Sequence, residues 1–359
     1  MKVLHISPTY YAADSVVGGG EKYILYMARA LSYAASDAEN IILAFGENET
    51  ELVVNDVRCI VALGRPWDPY SVNVGDLQRR LAGAEVVIVH QCLTAFGLFI
   101  ASHARLAGKI VVGMDHGGGE HPIVGHTSEA CLMYHRFLTY SRFGAGAFHD
   151  SSVPAKIIFG PVDTTYYYPS SRDEREKNLV VAVGRILPHK GFDRIIRVLP
   201  KNLKLVIAGT VSDREYSAVL ADLIHSTEGN VVIQGGLSDD EVRELLRRAS
   251  LFVHASTHVD YKGTYYAKPE LLGLAPLEAL ACGTPALVSN AGSLPELAVI
   301  RGCSLFRSDE ELKICLESFA KGAETPAASD IYESAKALYG IEQYGEKLLA
   351  ELVEIRGEV

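Results

Sequence analysis

The chain has 359 residues, 48% hydrophobic and 22% charged, enough for two domains that each bury a core. Its net charge of −10 argues against a general nucleic-acid binder and against a polybasic membrane patch. No apolar run reaches the ~20 residues of a membrane helix, and the six cysteines show no CxxC pair or metal-ligand spacing.

The chain opens on the strand pattern Lys2-Val3-Leu4-His5-Ile6, with no signal-peptide profile. A cytoplasmic protein with reduced, buried thiols is expected, and loose attachment to the inner face of a membrane stays open. Short apolar runs alternating with helical periodicity predict parallel sheets covered by helices on both faces. Strands are expected near 3–7, 41–45, 57–62, 86–90, 109–114 and 156–160, then near 179–184, 204–209, 231–235, 251–255, 285–289 and 303–306. Helices are expected near 21–33, 94–107, 192–199, 215–227, 239–249 and 309–321. The pattern breaks between Gly160 and Ser171, just before a charged run at 172–177. That break divides the chain into domains at 1–163 and 164–330, leaving 331–359 as a C-terminal helical segment.

Open parallel sheets bind ligands beyond the carboxyl ends of their strands, and each candidate motif follows a strand. Gly18-Gly19-Gly20-Glu21 precedes the first helix, where glycines let free N–H groups approach an anion; the alternative is a flexible turn. In Gly184-Arg185-Ile186-Leu187-Pro188-His189-Lys190-Gly191-Phe192, Arg185 and Lys190 leave a strand end together. Two such cations can neutralise a diphosphate leaving group without a metal; the alternative is a pair of surface cations. No Asp-x-Asp triplet occurs that would clamp a magnesium or manganese diphosphate.

The most informative stretch is Pro269-Glu270-Leu271-Leu272-Gly273-Leu274-Ala275-Pro276-Leu277-Glu278, continuing through Gly283-Thr284-Pro285. Pro276 suits a first helical position and Gly283 a terminator, which places Glu278 in the first turn. A helix start attracts phosphate, and Glu270 and Glu278 can accept hydrogen bonds from sugar hydroxyls beside it. The same pair could be the acid and nucleophile of a glycosidase, which needs carboxyls facing each other at ~5–9 Å. His116 follows the strand 110–114 and precedes a glycine run at 117–119, a setting for a hydroxyl contact. His121 and His126 miss the helical spacing of a metal pair, so no metal site is expected.

Together these motifs resemble retaining glycosyltransferases of the GT-B fold, specifically family four. The family's two glutamates separated by seven residues are matched by Glu270 and Glu278, with Gly273-Leu274 between them. Gly184-Arg185, Lys190-Gly191-Phe192, Gly18-Gly19 with Glu21, and Gly292 with Leu294-Pro295-Glu296 also fit. The resemblance implies an α/β fold of two Rossmann-like doubly wound domains facing across a cleft, with the last helix crossing back to the first domain. It further implies that Arg185 and Lys190 hold the donor diphosphate, Glu278 the ribose, and Glu270 the hexose near the reacting carbon. Gly273 and the backbone of Leu274 and Ala275 would approach the phosphate or sugar. Gly18 and Gly19 would close on the phosphates, His116 would touch the sugar, and the base would lie near Gly235 and Leu237.

Two departures stand out. Pro161-Val162-Asp163 replaces a common Gly-Val-Asp at the hinge, and the segment Ser256 to Lys268 is longer and more aromatic than usual. That segment is either an acceptor contact or a packed loop. The expectation is a retaining, metal-independent hexosyltransferase without a cofactor, moving a sugar from a UDP- or GDP-sugar to an acceptor glycan, lipid-linked glycan or small molecule. The rivals are a non-catalytic nucleotide-sugar-binding subunit and an epimerase or phosphorylase on the same fold.

Overall fold

The computed structural model describes residues 1–9, 18–116, 128–170, 175–227 and 230–359, which form two α/β units. The first comprises Met1–Pro161 with Ile341–Val359, and the second Val162–Gly340.

The first unit begins β1 (Lys2–Ile6), α1 (Gly19–Ala34), β2 (Glu39–Gly46), β3 (Thr50–Val54), β4 (Val57–Leu63) and α2 (Val74–Ala82). It continues β5 (Val86–His90), α3 (Ala95–Leu106), β6 (Ile110–Met114), α4 (Ser128–Cys131), β7 (Arg136–Thr139), α5 (Arg142–Ala145) and β8 (Ala155–Ile157). Its sheet has the order β3-β4-β2-β1-β5-β6-β7-β8 and is parallel except for the β3–β4 pair. Val86-Val87-Ile88-Val89-His90 is buried along its whole length, as a strand covered on both faces must be. β2 lies on one side of β1 and β5 on the other, so the order reverses at β1. His5 and His90 come from these two strands.

The second unit runs β9 (Glu176–Val183), α6 (Phe192–Val198), β10 (Lys204–Ala208), α7 (Arg214–Ser226), β11 (Asn230–Gln234), α8 (Asp239–Arg248) and β12 (Ala249–His254). It closes with α9 (Leu274–Ala281), β13 (Ala286–Ser289), β14 (Cys303–Phe306), α10 (Asp309–Ala320) and α11 (Ala328–Tyr339). Its parallel sheet has the order β11-β10-β9-β12-β13-β14, reversing between β9 and β12. A core of Val180, Ala182, Ile195, Leu205, Ile207, Leu251 and Val253 fills the space between sheet and helices.

α12 (Ile341–Glu358) returns to the first unit and packs on α1. Buried Arg136 in β7 holds it there: Nη1 lies 3.2 Å from Glu351 and Nη2 2.9 Å from Glu358. Lys156 Nζ reaches the other Glu351 oxygen at 3.2 Å. Among the described residues no helix is long and apolar enough to cross a membrane.

Three expectations need correction. The segment 331–359 is not one piece, because α11 stays in the second unit, where Tyr339 is buried and its hydroxyl donates to Glu296 O at 3.2 Å. The division therefore falls at 340/341 rather than 330/331, and the first boundary at 161/162 rather than 163/164. Finally, β3, β7 and α2 were not expected.

Candidate functional site

A parallel sheet puts the carboxyl ends of all its strands on one edge, and in the second unit the functional side chains gather there. β9 ends at Val183, and Gly184-Arg185 leave the sheet beside the end of β12. Pro188–Lys190 make a single 3-10 turn. Gly191, at φ +64°, closes that turn against the loop after β12, where a Cβ would come within 2.2 Å of Ala255 O. Only glycine permits both the conformation and the approach, and together they fix Lys190.

Glu270 is seated by a second such contact. Gly292, at φ +57°, lies so close that a Cβ would stand 2.2 Å from Glu270 O. Ser293 N–H donates to the same oxygen at 3.1 Å. Lys190 Nζ donates to Glu270 Oε2 at 2.8 Å, and His254 Nε2 lies 2.9 Å from that same oxygen. Ser256 Oγ is 3.1 Å from His254 Nε2. Glu270 Oε1 makes no hydrogen bond among the described residues.

Burial raises the Glu270 carboxyl, but the Lys190 charge and the His254 hydrogen bond outweigh it and hold the group well below the usual carboxylate range. For His254, burial pushes the imidazole down; the Glu270 hydrogen bond opposes this and Lys190 adds to it. The ring is therefore neutral at pH 7. Since a carboxylate only accepts, Nε2 carries the proton toward Glu270. Burial, followed by the Lys190 charge, lowers His189 to about 4, and its ring lies 4.9 Å from that of Tyr266. Arg185 is exposed and forms no ion pair among the described residues.

α9 begins at Leu274, with Gly273 as its N-cap at φ +86°, not at Pro276. The left-handed glycine starts the helix two residues earlier, and proline is tolerated because first-turn N–H groups lack helical partners anyway. Glu278 thus sits in the second turn rather than the first, 3% exposed. Gly273, Leu274 and Ala275 form the helix start, and Gly283 follows its C-cap as expected. Gly235 and Leu237 follow β11, two strands from β9, about 10 Å away across the sheet.

The remaining expected residues belong to the first unit. Gly18 is the N-cap of α1, its N–H donating to Glu21 Oε2 at 2.8 Å, and Gly19 is the first helical residue. A Cβ on Gly20 would meet His116 Cβ at 3.8 Å, so His116 stands beside this helix start. His121 and His126 lie outside the described residues. His116 closes a buried row: His5 Nδ1 is 3.3 Å from His90 Nε2, and His90 Nδ1 is 2.6 Å from His116 Nε2. The Tyr140 hydroxyl meets His116 Nδ1. Burial lowers His5 and His116 to about 4 and holds His90 well below the ordinary imidazole value. Both nitrogens of His116 are thus engaged within the unit, and a bond to a sugar hydroxyl would have to replace one of these contacts.

His254, His5, His90 and Tyr140 went unrecognised in the sequence. For the three histidines the signal is an imidazole at or near the end of an apolar strand run, as in Val86-Val87-Ile88-Val89-His90 and Leu251-Phe252-Val253-His254.

Two α/β units of this topology define the GT-B fold of glycosyltransferases. Residues 168–302 match the Glycosyl transferases group 1 family, so the second unit carries a domain of that family. Over 129 residues the chain is 33% identical to the uncharacterized glycosyltransferase MJ1607 of Methanocaldococcus jannaschii, covering 34% of this chain and 30% of the relative. Over 160 residues it is 26% identical to alpha-maltose-1-phosphate synthase of Mycolicibacterium smegmatis, covering 39% and 38%. The alignments thus span between 30% and 38% of these relatives' lengths. The structure of Anabaena HepE in complex with UDP and glucose superposes with a TM-score of 0.75 at 17% identity, covering 99% of this chain and 100% of HepE.

Proposed function

We propose that this protein is a retaining glycosyltransferase that moves a sugar from a nucleoside-diphosphate donor to an acceptor hydroxyl. One observation carries the reading: Lys190 is held on Glu270 at the switch point of the second sheet, with the unpaired Arg185 on the same loop. An incoming diphosphate can take both cations, while the free Glu270 Oε1 accepts a hexose hydroxyl and Glu278 the ribose. The base would lie toward Gly235 and Leu237, a separation that a nucleotide laid across three strands spans. The UDP and glucose named for HepE are of this chemical class.

In the reaction the bond from the anomeric carbon to the phosphate oxygen breaks and one to the acceptor oxygen forms on the same face. The acceptor proton passes to the departing phosphate oxygen. Arg185 and Lys190 stabilise the charge that grows there, so the leaving group needs no metal. Leu274 and Ala275 bring the start of α9 to the phosphate or sugar. In the first unit, Gly19 and His116 are assigned the phosphate and sugar contacts that the family resemblance implies.

The test is a thermal-shift panel of UDP-, GDP- and ADP-sugars, followed by nucleoside diphosphate release with glycan and small-molecule acceptors. One nucleotide class should stabilise the fold by about 2.7 kcal/mol at a hundred times its Kd, and its release should rise with acceptor. Stabilisation without release would favour a non-catalytic binding subunit. No stabilisation by any nucleotide would contradict the proposal.

A further inference from the structure

The carboxylate that holds Lys190 has a second partner whose role the proposed reaction leaves unexplained. His254 closes β12 and is 6% exposed. Its Nε2 and Lys190 Nζ meet the same Glu270 oxygen, at 2.9 and 2.8 Å, although the other oxygen makes no hydrogen bond among the described residues. Turning Lys190 toward a phosphate would strip a carboxylate whose side chain is only 15% exposed of the one cation paired with it among the described residues, and a largely desolvated charge without a partner is strongly unfavourable. His254 removes that obstacle because its N–H already points at the oxygen Lys190 would leave.

We propose that His254 is a positioning residue that keeps Glu270 hydrogen-bonded and in place while Lys190 transfers from that carboxylate to the donor diphosphate. The inference rests on the assignment of this site to a diphosphate. The hand-off leaves Oε1 aimed at the sugar throughout, because Gly292 and Ser293 fix the Glu270 backbone and His254 fixes Oε2. Ser256, whose hydroxyl lies 3.1 Å from His254 Nε2, is fully buried and steadies the imidazole. His189, lowered to about 4 by burial and then by the Lys190 charge, is neutral and supplies no cation in place of Lys190.

The experiment is calorimetric titration of the full chain with magnesium-free inorganic pyrophosphate. Glutamine places an amide near the position of the imidazole Nε2, whereas the shorter asparagine stops near Nδ1 and cannot reach Glu270. H254Q should therefore bind pyrophosphate nearly as well as the wild type, and H254N about tenfold more weakly. Adding E270Q to H254N should restore the affinity, because a neutral amide no longer retains Lys190. A role confined to packing would not be rescued by a change at Glu270. Should H254N fail to fold, His254→Leu replaces it in the same cycle.

Equal affinities for H254Q and H254N, or no recovery with E270Q, would overturn the role of His254 and leave the diphosphate assignment standing. Failure of the wild type to bind pyrophosphate would instead remove the diphosphate assignment, and this inference with it.

Discussion

Ionisable groups in this protein are placed where their charge state is decided by burial and by one or two neighbours. The row His5, His90 and His116 is the clearest case, all three being held neutral by burial. In the unfolded chain each would titrate near pH 6.5. Between that value and pH 4 the unfolded state therefore binds more protons than the native one, so stability falls as the pH drops. Denaturant unfolding followed between pH 7 and pH 4 should show this loss, with proton uptake on unfolding. Replacing His90 by Gln should lessen the slope by about one proton, and a stability independent of pH across this window would contradict the buried row. Glu270 behaves in the opposite sense to a buried lone acid: its depressed pKa contributes stability above the unfolded value near 4.3, lost as the pH falls further.

At the same scale, local motifs were legible and distant partners were not. Glu270, Glu278 and Gly283 stand in one continuous stretch, and Arg185 with Lys190 leaves a single strand end, so spacing alone exposed them. His254 meets Glu270 across the intervening segment 256–268, and no sequence periodicity reports such a contact. Within an apolar run its polarity was the only hint. Pro276 misplaced the helix start because proline fits any position of the first turn, whereas Gly273 fixed the true one.

Among the elements, those with long buried runs were foreseen and those with mixed faces were not. β9 and β5 read plainly as buried parallel strands. α2 shows only Leu77 and Leu81 on its buried face, and β3 is a largely uncovered edge strand pairing antiparallel with β4. The C-terminal region read as one helix because nothing in composition marks Gly340, yet α11 and α12 belong to different units. What holds α12 is the ion cluster of Arg136 with Glu351, 9% and 2% exposed at the side chain. Arg136→Met leaves Glu351 with Lys156 alone and should destabilise the first unit by about 3 kcal/mol. Arg136→Met combined with Glu351→Leu should recover most of that loss, since an apolar pair of similar volume replaces the ions. Chemical denaturation midpoints decide the matter; a double variant no more stable than the single one would show that the ion pair is not what costs stability.

Across the whole molecule, the two units share one design: a parallel sheet whose strand order reverses, with polar groups at the reversal. In the first unit these are imidazoles sealed against one another, and in the second a lysine, a glutamate and a histidine with an unpaired arginine nearby. Alternating strand and helix patterns made that architecture legible, because its periodicity is local. The chemistry placed at each reversal was legible only where it lay close in sequence.

The proposed transfer requires Lys190 to serve the leaving diphosphate, and the rate of nucleoside diphosphate release by Lys190→Ala measures this directly. With the donor class that stabilises the wild type and a responsive acceptor, the variant should turn over at least ~100-fold more slowly while remaining folded. Release at close to the wild-type rate would contradict the account.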